Sequence, residues 1–298
     1  MAKYVILVTG ANGQLGQSLT SISDAYPQFS FHFVARDTMA IDDEVAVKRT
    51  FDEIKPHYCI NAAAYTAVDK AENDKDGPMA VNGTAVGILA RASKAAGAGF
   101  IHISTDYVFN GLSETPYKED HATDPVNNYG ASKLAGEKLA LELNPAAIII
   151  RTAWVYSEFG NNFVKTMTRL MRERKDLGVV RDQVGAPTYA PDLAGAILEI
   201  IRKTLDGKLP WVPGIYHYSN AGKISWFDFA EAIRSGIKSD CNVRPISTAE
   251  FPTPAKRPAF SLLDTSRIRE TYQIAIPRWQ DSLEVCLKKT SGGKLHNQ

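Results

Sequence analysis

The sequence has few cysteines, no long hydrophobic run and almost no net charge, and each shortage excludes a class of protein. Only 3 cysteines occur among 298 residues, so neither a disulfide scaffold nor a cysteine-based zinc site is expected. No apolar stretch approaches the roughly 20 residues that a membrane-spanning helix needs. A net charge of +1 gives no electrostatic basis for binding nucleic acid or an acidic membrane, so we expect neither partner.

The remaining composition is that of a globular protein in a reducing compartment. The 6 histidines are scattered, so no all-protein metal site is expected. The first residues lead directly into an apolar strand, which leaves no room for a secretory signal. Apolar residues at 44% and charged residues at 22% are ordinary proportions, and the chain is long enough to bury a large core. We expect a cytoplasmic protein, with a homodimer as an open alternative to a monomer.

The most informative motif is a tyrosine and a lysine four residues apart, Tyr129 and Lys133, in a segment that predicts a helix. Residues at this spacing project from the same helical face. An ammonium close to a phenol favours the phenolate, so we expect Lys133 to lower the pKa of Tyr129 toward working pH. Such a tyrosine can exchange a proton with a carbonyl or an alcohol. An exposed helical pair would have the same spacing, so the interpretation needs support from elsewhere.

The N-terminal segment supplies that support. Residues 5–8 form an apolar run that predicts a buried strand, and glycines follow at positions 10, 13 and 16. Glycines in such a turn let the backbone approach a pyrophosphate at the N-terminus of the next helix. The cofactor contacts predicted here are Gly10, Gly13, Gln14, Leu15 and Gly16. A tight strand-to-helix turn without a ligand is the alternative.

Two further strand ends fit a dinucleotide site. Arg36 and Asp37 follow a predicted second strand about 20 residues after the last glycine, where such folds bind the adenosine ribose. An arginine accommodates a 2′-phosphate and an acid accommodates a free 2′-hydroxyl, so we expect NADPH and leave NADH open. Ala62, Ala63 and Ala64 end another strand, and small residues there let a cofactor lie against the backbone. Simple close packing would also favour alanines.

Together these residues resemble the extended short-chain dehydrogenase/reductase superfamily and, within it, the dTDP-4-dehydrorhamnose reductase family. The resemblance runs from residue 3 to about residue 287. Its more specific landmarks are Asn-Ala-Ala-Ala-Tyr at 61–65, Ser-Thr-Asp-Tyr at 104–107, Tyr-Gly-Ala-Ser-Lys at 129–133, Arg-Thr-Ala-Trp-Val-Tyr at 151–156 and Asp-Gln-Val-Gly-Ala-Pro-Thr at 182–188. It implies an NADPH-dependent oxidoreductase that reduces the 4-keto group of dTDP-4-dehydro-β-L-rhamnose to dTDP-L-rhamnose.

The resemblance also implies roles for single residues. Tyr129 would donate the proton and Thr105 would hold the carbonyl, while Lys133 would tune the tyrosine. Both Tyr129 and Lys133 would contact the cofactor, Lys133 through the nicotinamide ribose. Predicted substrate contacts are Thr105, Asp106, Trp154, Tyr65, Asn162, Gln183 and Arg257. Trp154 would lie against the sugar ring and Arg257 would pair with the diphosphate; a core tryptophan and a surface charge are the alternatives.

Two sites distinguish this chain from other enzymes of the superfamily, and a third differs from the reductase family itself. Sugar-nucleotide dehydratases typically read Thr-Asp-Glu where this chain reads Thr-Asp-Tyr at 105–107, so the second acid for elimination of water is absent. Epimerases usually present an acid to the adenosine ribose, where this chain has Arg36. Ala40 replaces an aspartate that the reductase family places near the adenine, so a side-chain contact there is in doubt.

The alternation of apolar strands and helices predicts the fold class. Strands are expected near 4–9, 31–35, 58–62, 100–104 and 147–151, with helices near 14–25, 43–54, 80–97 and 129–143. This pattern predicts an α/β protein with a Rossmann-like doubly wound parallel sheet, which binds ligands beyond the carboxyl ends of its strands. We expect residues 1–155 to form the NADP-binding domain, with 185–205 returning to it, and residues 156–298 to form mainly a smaller substrate lobe.

Two other functions remain open from the sequence. The regulatory subunit of methionine adenosyltransferase resembles the same reductase group and binds NADP, yet it serves as a binding partner. The intact set of Thr105, Tyr129 and Lys133 favours an enzyme without excluding that role. Alternatively, the chemistry is the same and the substrate is another nucleotide-linked 4-keto deoxysugar.

Overall fold

The computed structural model describes the backbone of residues 4–292 and the side chains of residues 4–290. Its centre is a sheet of six parallel strands in the order β10-β5-β4-β3-β1-β2. These strands are β1 (Tyr4–Thr9), β2 (Phe29–Val34), β3 (Tyr58–Asn61), β4 (Gly99–Thr105), β5 (Ile148–Thr152) and β10 (Gly214–Tyr218). The predicted α/β class and doubly wound parallel sheet are confirmed.

Both faces of the sheet are buried, because neighbouring residues of each strand point into two different cores. Ile6 and Val8 of β1 belong to one apolar cluster, whereas Leu7 between them belongs to another. The helices are α1 (Gln14–Ile22), α2 (Glu44–Ile54), α3 (Asp76–Met79), α4 (Ala85–Ala95), α5 (Asn128–Leu143), α6 (Phe163–Glu173), α7 (Ala190–Leu205), α8 (Trp226–Gly236), α9 (Ser266–Tyr272) and α10 (Trp279–Gly292). Helices α1, α7 and α9 cover the first face, and α2, α4 and α5 cover the second.

A third core lies in the later part of the chain. It is formed mainly by α6, α8 and α10 together with the parallel strand pair β7 (Asp176–Val180) and β12 (Asn242–Ile246). Three short strand pairings complete the topology: β6 (Val155–Tyr156) with β9 (Thr188–Tyr189), β8 (Val184–Gly185) with β11 (Ile224–Ser225), and the β7–β12 pair itself. The division into a cofactor domain and a substrate lobe stays a prediction, and residues 1–3 and 293–298 lie outside the described part.

More of the chain after residue 155 belongs to the large sheet and its covering helices than the sequence predicted. Only residues 185–205 were expected to return, but β10 pairs with β5 as the sixth strand and α9 packs against β10. Residues 214–218 lie within the range 156–298 that was expected to form mainly the smaller lobe, and the structure places them in the large sheet. The strand is short, and its pairing partner is distant along the chain, so no local pattern reveals which sheet it joins.

The parallel strands place their carboxyl ends along one edge, which is where the predicted site residues follow them. Gly10 follows β1, Ala62 follows β3, and Thr105 ends β4. In the described range no helix is long and apolar enough to cross a membrane. Within the same range no group of histidine, cysteine, aspartate and glutamate side chains could hold a metal ion. The three cysteines are buried free thiols.

Candidate active site

A cavity of about 840 Å³ opens at the carboxyl edge of the large sheet. It brings together most of the residues predicted for the site, although they come from both halves of the chain. Those that line it are Gly10, Gly13, Gln14, Leu15, Arg36, Ala62, Ala63, Ala64, Tyr65, Thr105, Asp106, Tyr129, Lys133 and Trp154. Gly16, Asn162, Gln183 and Arg257 do not line it.

The glycine loop has the backbone geometry that a dinucleotide requires. Gly10 adopts a φ of +74°, and a Cβ on it would lie 2.6 Å from the backbone nitrogen of Ala63. Any side chain there would therefore fill the space between the ends of β1 and β3. A Cβ on Gly16 would collide with the carbonyls of Gly10 and Ala11, so Gly16 lets α1 pack closely on the loop without reaching the cavity. The residues present fit a pyrophosphate at the start of α1.

Gln14 joins the glycine loop to the second half of the chain. Its side-chain oxygen accepts hydrogen bonds from the Ser157 hydroxyl at 2.9 Å and from Asn162 Nδ2 at 3.0 Å. Asn162 also caps α6, since its Oδ1 accepts from the backbone nitrogen of Lys165. The Nδ2 group of Asn162 also donates to the Ser157 carbonyl at 2.8 Å, so both ends of the amide are engaged within the protein. The structure assigns it a supporting position behind Gln14 and gives no support to the predicted sugar contact.

The arginine and the aspartate after β2 are placed differently. Arg36 lines the cavity, whereas Asp37, which is also exposed, does not. An arginine on this wall suits a 2′-phosphate better than a free 2′-hydroxyl. Met39, Ile41 and Asp42, close to Ala40 in the chain, also line the cavity, and none of the three was predicted as a site residue.

The start of α5 fixes Tyr129 beside Thr105. Asn127 is the N-cap, and its Oδ1 accepts from the backbone nitrogen of Gly130 at 2.8 Å. A Cβ on Gly130 would overlap the carbonyl oxygen of Tyr107, so only glycine lets the helix approach the chain after β4 this closely. The rings of Tyr107 and Tyr129 meet edge to face at 5.6 Å between centroids. Tyr107, which lines the cavity, was not predicted as a site residue.

The prediction that Lys133 lowers the pKa of Tyr129 is wrong for this structure. Burial raises the pKa of Tyr129 to about 12, although a hydrogen bond with Thr105 counteracts part of the increase. Lys133 is not among the groups that shift this pKa, and its Nζ donates to the Ile103 carbonyl at 2.6 Å. Burial also lowers the pKa of Lys133 itself to about 8, against the opposing effect of Glu137. Tyr129 is consequently a protonated phenol at neutral pH.

Thr105 and Asp106 form a buried pair at the end of β4. The Thr105 hydroxyl donates to Asp106 Oδ1 at 3.0 Å and accepts from the backbone nitrogen of Tyr107. Burial raises the pKa of Asp106 to about 6, partly offset by the Ser261 and Thr105 hydroxyls. The other oxygen, Oδ2, is buried and makes no hydrogen bond of good geometry with any described residue. Because a hydroxyl has one hydrogen, Thr105 can donate to a substrate carbonyl only by releasing Asp106.

Trp154 reaches the cavity from a strained backbone position. Its φ of +51° lies in the left-handed region that large side chains rarely adopt. Trp226 stacks on the indole at 3.6 Å between ring centroids, and Gly185 leaves just enough room beside it. The ring is therefore held rigidly, which suits a platform for a sugar, although the predicted contact itself stays a prediction.

Two predicted substrate contacts lie away from the cavity wall. Gln183 Nε2 donates to the Thr248 hydroxyl at 3.1 Å. Arg257 forms an ion pair with Asp69 at 2.9 Å, and its second terminal nitrogen is buried without a hydrogen-bond partner among the described residues. Neither residue lines the cavity, so the structure gives no support to a direct sugar or diphosphate contact. Gly160 and Asn161, which carried no motif signal, line the cavity in their place.

Comparisons with known proteins agree with this arrangement. The family model of the RmlD substrate binding domain matches residues 4–291. The chain is similar to the dTDP-4-dehydrorhamnose reductase of Aggregatibacter actinomycetemcomitans, with 41% identity over 94% of this chain and 97% of the relative. The dTDP-4-dehydrorhamnose reductase of Escherichia coli K12 is 40% identical, and the match covers 92% of this chain and 94% of that enzyme.

A solved structure extends the similarity to three dimensions. The crystal structure of dTDP-4-dehydrorhamnose reductase from Bacillus anthracis str. Ames in complex with NADP superposes with a TM-score of 0.91. The two sequences are 40% identical, and the match covers 97% of this chain and all of the other. From the family match and these relatives, the chain belongs to the RmlD substrate binding domain family and lies among the dTDP-4-dehydrorhamnose reductases.

Proposed function

We propose that the protein reduces the 4-keto group of dTDP-4-dehydro-β-L-rhamnose with NADPH and so forms dTDP-L-rhamnose. The observation that carries the proposal is the meeting of Thr105, Tyr129 and Lys133 with the glycine loop in one cavity. The similar enzymes named above carry that activity in their names, and one of them was solved with NADP. We also propose a cytoplasmic location, in keeping with three free thiols, and the homodimer stays a prediction.

The walls of the cavity fit NADPH, which supplies the hydride when it is bound. The glycine loop and the N-terminus of α1 would hold the pyrophosphate, and Arg36 would hold the 2′-phosphate. Ala62, Ala63 and Ala64 leave room for the cofactor against the backbone. Lys133 would hold the nicotinamide ribose at the inner end of the site.

The side chains at that inner end would move the proton. Tyr129 keeps its proton at neutral pH because burial raises its pKa to about 12, so it is ready to donate to the carbonyl oxygen. Lys133 lines the same cavity, where its ammonium would donate hydrogen bonds to the nicotinamide ribose. Thr105 would support the carbonyl oxygen once its hydroxyl turns away from Asp106. Each step uses a group that lines the same cavity.

Loss of absorbance at the NADPH band after addition of dTDP-4-dehydro-β-L-rhamnose tests the proposal. Rapid oxidation, with dTDP-L-rhamnose recovered as product, is the expected result. NADPH binding without oxidation of this substrate would overturn it. Turnover with a different nucleotide-linked keto-sugar would then identify another reductase, and co-purification with a methionine adenosyltransferase would identify a regulatory subunit.

We expect Arg36→Ala to weaken NADP⁺ binding about tenfold to hundredfold and to leave NAD⁺ binding unchanged. The reason is that hydrogen bonds to a charged group contribute roughly 1.5–3 kcal/mol. Calorimetric titration of the purified protein with each nucleotide measures both dissociation constants. Asp37→Ala is the matched control, since Asp37 is exposed beside Arg36 and does not line the cavity. An equal loss of affinity for NADP⁺ and NAD⁺ in Arg36→Ala would contradict the assignment of Arg36 to the 2′-phosphate.

We expect kcat/KM for the reduction to fall above about pH 8 with the slope of a single proton. Lys133, whose pKa is lowered to about 8, is a cation below that pH and loses its charge above it. Tyr129 does not titrate in that range, since its pKa is raised to about 12. A pH–rate profile measures this alkaline fall in kcat/KM. Lys138→Met is the control and should keep the wild-type profile, because Lys138 is exposed on the same helix. A profile that stays flat to pH 10 would be incompatible with this role for Lys133.

A further inference from the structure

Behind Lys133 lies a row of buried polar side chains that crosses three strands. Thr9 ends β1, Asn61 ends β3 and His102 lies within β4, and all three have no exposed surface. His102 Nε2 lies 3.5 Å from Lys133 Nζ, and His102 Nδ1 lies 3.0 Å from Asn61 Nδ2. None of the three was predicted as a site residue. Polar groups this deeply buried must satisfy one another, so their hydrogen-bond directions can be worked out.

The orientation of the Asn61 amide is set by its neighbours. Its oxygen lies 3.2 Å from the backbone nitrogen of Ala63 and 2.7 Å from the Thr9 hydroxyl. A backbone N–H can only donate, so the atom facing Ala63 must be the oxygen. The Nδ2 group therefore faces His102 and donates to its Nδ1. A flipped amide would place two donors 3.2 Å apart at Ala63, whereas the two donors that the chosen orientation opposes, His102 Nε2 and Lys133 Nζ, lie farther apart at 3.5 Å.

This orientation fixes the tautomer of His102. Because Nδ1 accepts a hydrogen bond, the proton of the neutral imidazole lies on Nε2. Burial and the charge of Lys133 both lower the pKa of His102 well below its ordinary value, so the ring is neutral. The side of the ring that faces the lysine is thus an N–H group and offers no acceptor.

We propose that His102, held in the Nε2–H tautomer by Asn61 and Thr9, is a positioning residue for Lys133. This inference rests on the proposed function, in which Lys133 must present N–H groups to the cavity. On the sheet side the Lys133 ammonium donates to the Ile103 carbonyl at 2.6 Å, while His102 offers it no hydrogen-bond acceptor. The remaining N–H groups of the ammonium are therefore left for partners on the cavity side.

The same contact restrains the charge of Lys133. A donor that faces an ammonium disfavours the protonated form, whereas an acceptor would favour it. Two other titratable groups, Tyr129 and Glu137, lie one helical turn from Lys133 on either side along α5. Glu137 favours the ammonium, but its carboxylate is shared with Arg151 on β5 through two hydrogen bonds. His102 and burial thus oppose Glu137 in setting the pH above which the lysine loses its charge.

The tautomer can be measured on the ligand-free protein by ¹⁵N NMR with labelled histidine. From about pH 6 to about pH 9 we expect His102 to show an unprotonated Nδ1 and a protonated Nε2, because a ring buried in its neutral form does not take up a second proton there. A protonated Nδ1, or an imidazolium at neutral pH, would overturn the proposal. This measurement needs no substrate and no variant, so it remains decisive if turnover is absent or if a variant fails to fold.

The effect on the lysine is tested with His102→Gln. A glutamine amide can turn its carbonyl toward the ammonium, so the titration of the Lys133 Cε signal in ¹³C NMR should move up by roughly one pH unit. The alkaline limit of kcat/KM should move with it. The matched control is His217→Gln, because His217 is equally buried in the same sheet and contacts Tyr117 and Arg151 without lining the cavity.

The outcomes separate the two proposals. A shift in His102→Gln that is absent in His217→Gln supports the positioning role. The same titration midpoint for Lys133 in both variants and in the wild type would overturn the positioning role of His102, even if the enzyme turned over rapidly. A wild type that reduces no keto-sugar would overturn the proposed function, whereas the NMR results would still decide the role of His102.

Discussion

Replacing Tyr129 with phenylalanine should lower kcat about 100-fold to 10,000-fold while NADPH binding is kept. A positioned general acid contributes a factor of this size. Tyr129 is the cavity-lining hydroxyl that stays protonated at neutral pH next to Thr105 and Lys133, since burial raises its pKa to about 12. The phenyl ring keeps the packing against Tyr107, so only the proton donor is removed.

Single-turnover oxidation of NADPH measures the chemical step directly, and calorimetry measures cofactor binding in the same preparation. Tyr156→Phe is the matched control: Tyr156 is fully buried, it does not line the cavity, and its hydroxyl has no hydrogen-bond partner among the described residues. We expect that control to react at the wild-type rate. If Tyr129→Phe also reacted near that rate, the proton would come from another group, and Asp106 is a candidate because it lines the cavity and its pKa is raised to about 6.

Replacing Arg151 with methionine should reduce the free energy of unfolding by about 3–5 kcal/mol, the usual cost of leaving one member of a buried ion pair alone. Arg151 Nε and a terminal nitrogen donate to the two oxygens of Glu137 at 2.9 and 2.7 Å. Both side chains are only 2% exposed. Without the arginine, Glu137 would hold an uncompensated charge between α5 and the sheet.

Urea denaturation of the variant measures this loss. The double variant Arg151→Met with Glu137→Leu should recover much of it, because neither charge then remains buried. Lys48→Met removes one member of an exposed pair with Asp52 and should change stability by less than about 1 kcal/mol. A single variant as stable as the wild type would contradict the cost expected for the unpaired Glu137 carboxylate.

The sequence by itself determined the fold class and the inner wall of the cavity. Apolar strands followed at once by glycine, alanine or threonine are local patterns, and parallel strands must bring their carboxyl ends to one edge. The cavity therefore contains Gly10, Ala63, Thr105 and Tyr129 where the motifs predicted them. Tyr129 and Lys133 share a helical face because of their spacing alone.

Only the tertiary structure decided which polar groups are already engaged and how deeply each charge is buried. Asn162 and Arg257 were predicted to meet substrate, yet they contact Gln14 and Asp69, which lie far away in the sequence. The pKa of Tyr129 rises instead of falling because burial outweighs the hydrogen bond with Thr105 that lowers it. The role of His102 likewise depends on distances across three strands. Spacing along a chain sets direction on a helix or strand, whereas partners and burial arise only when distant segments pack together.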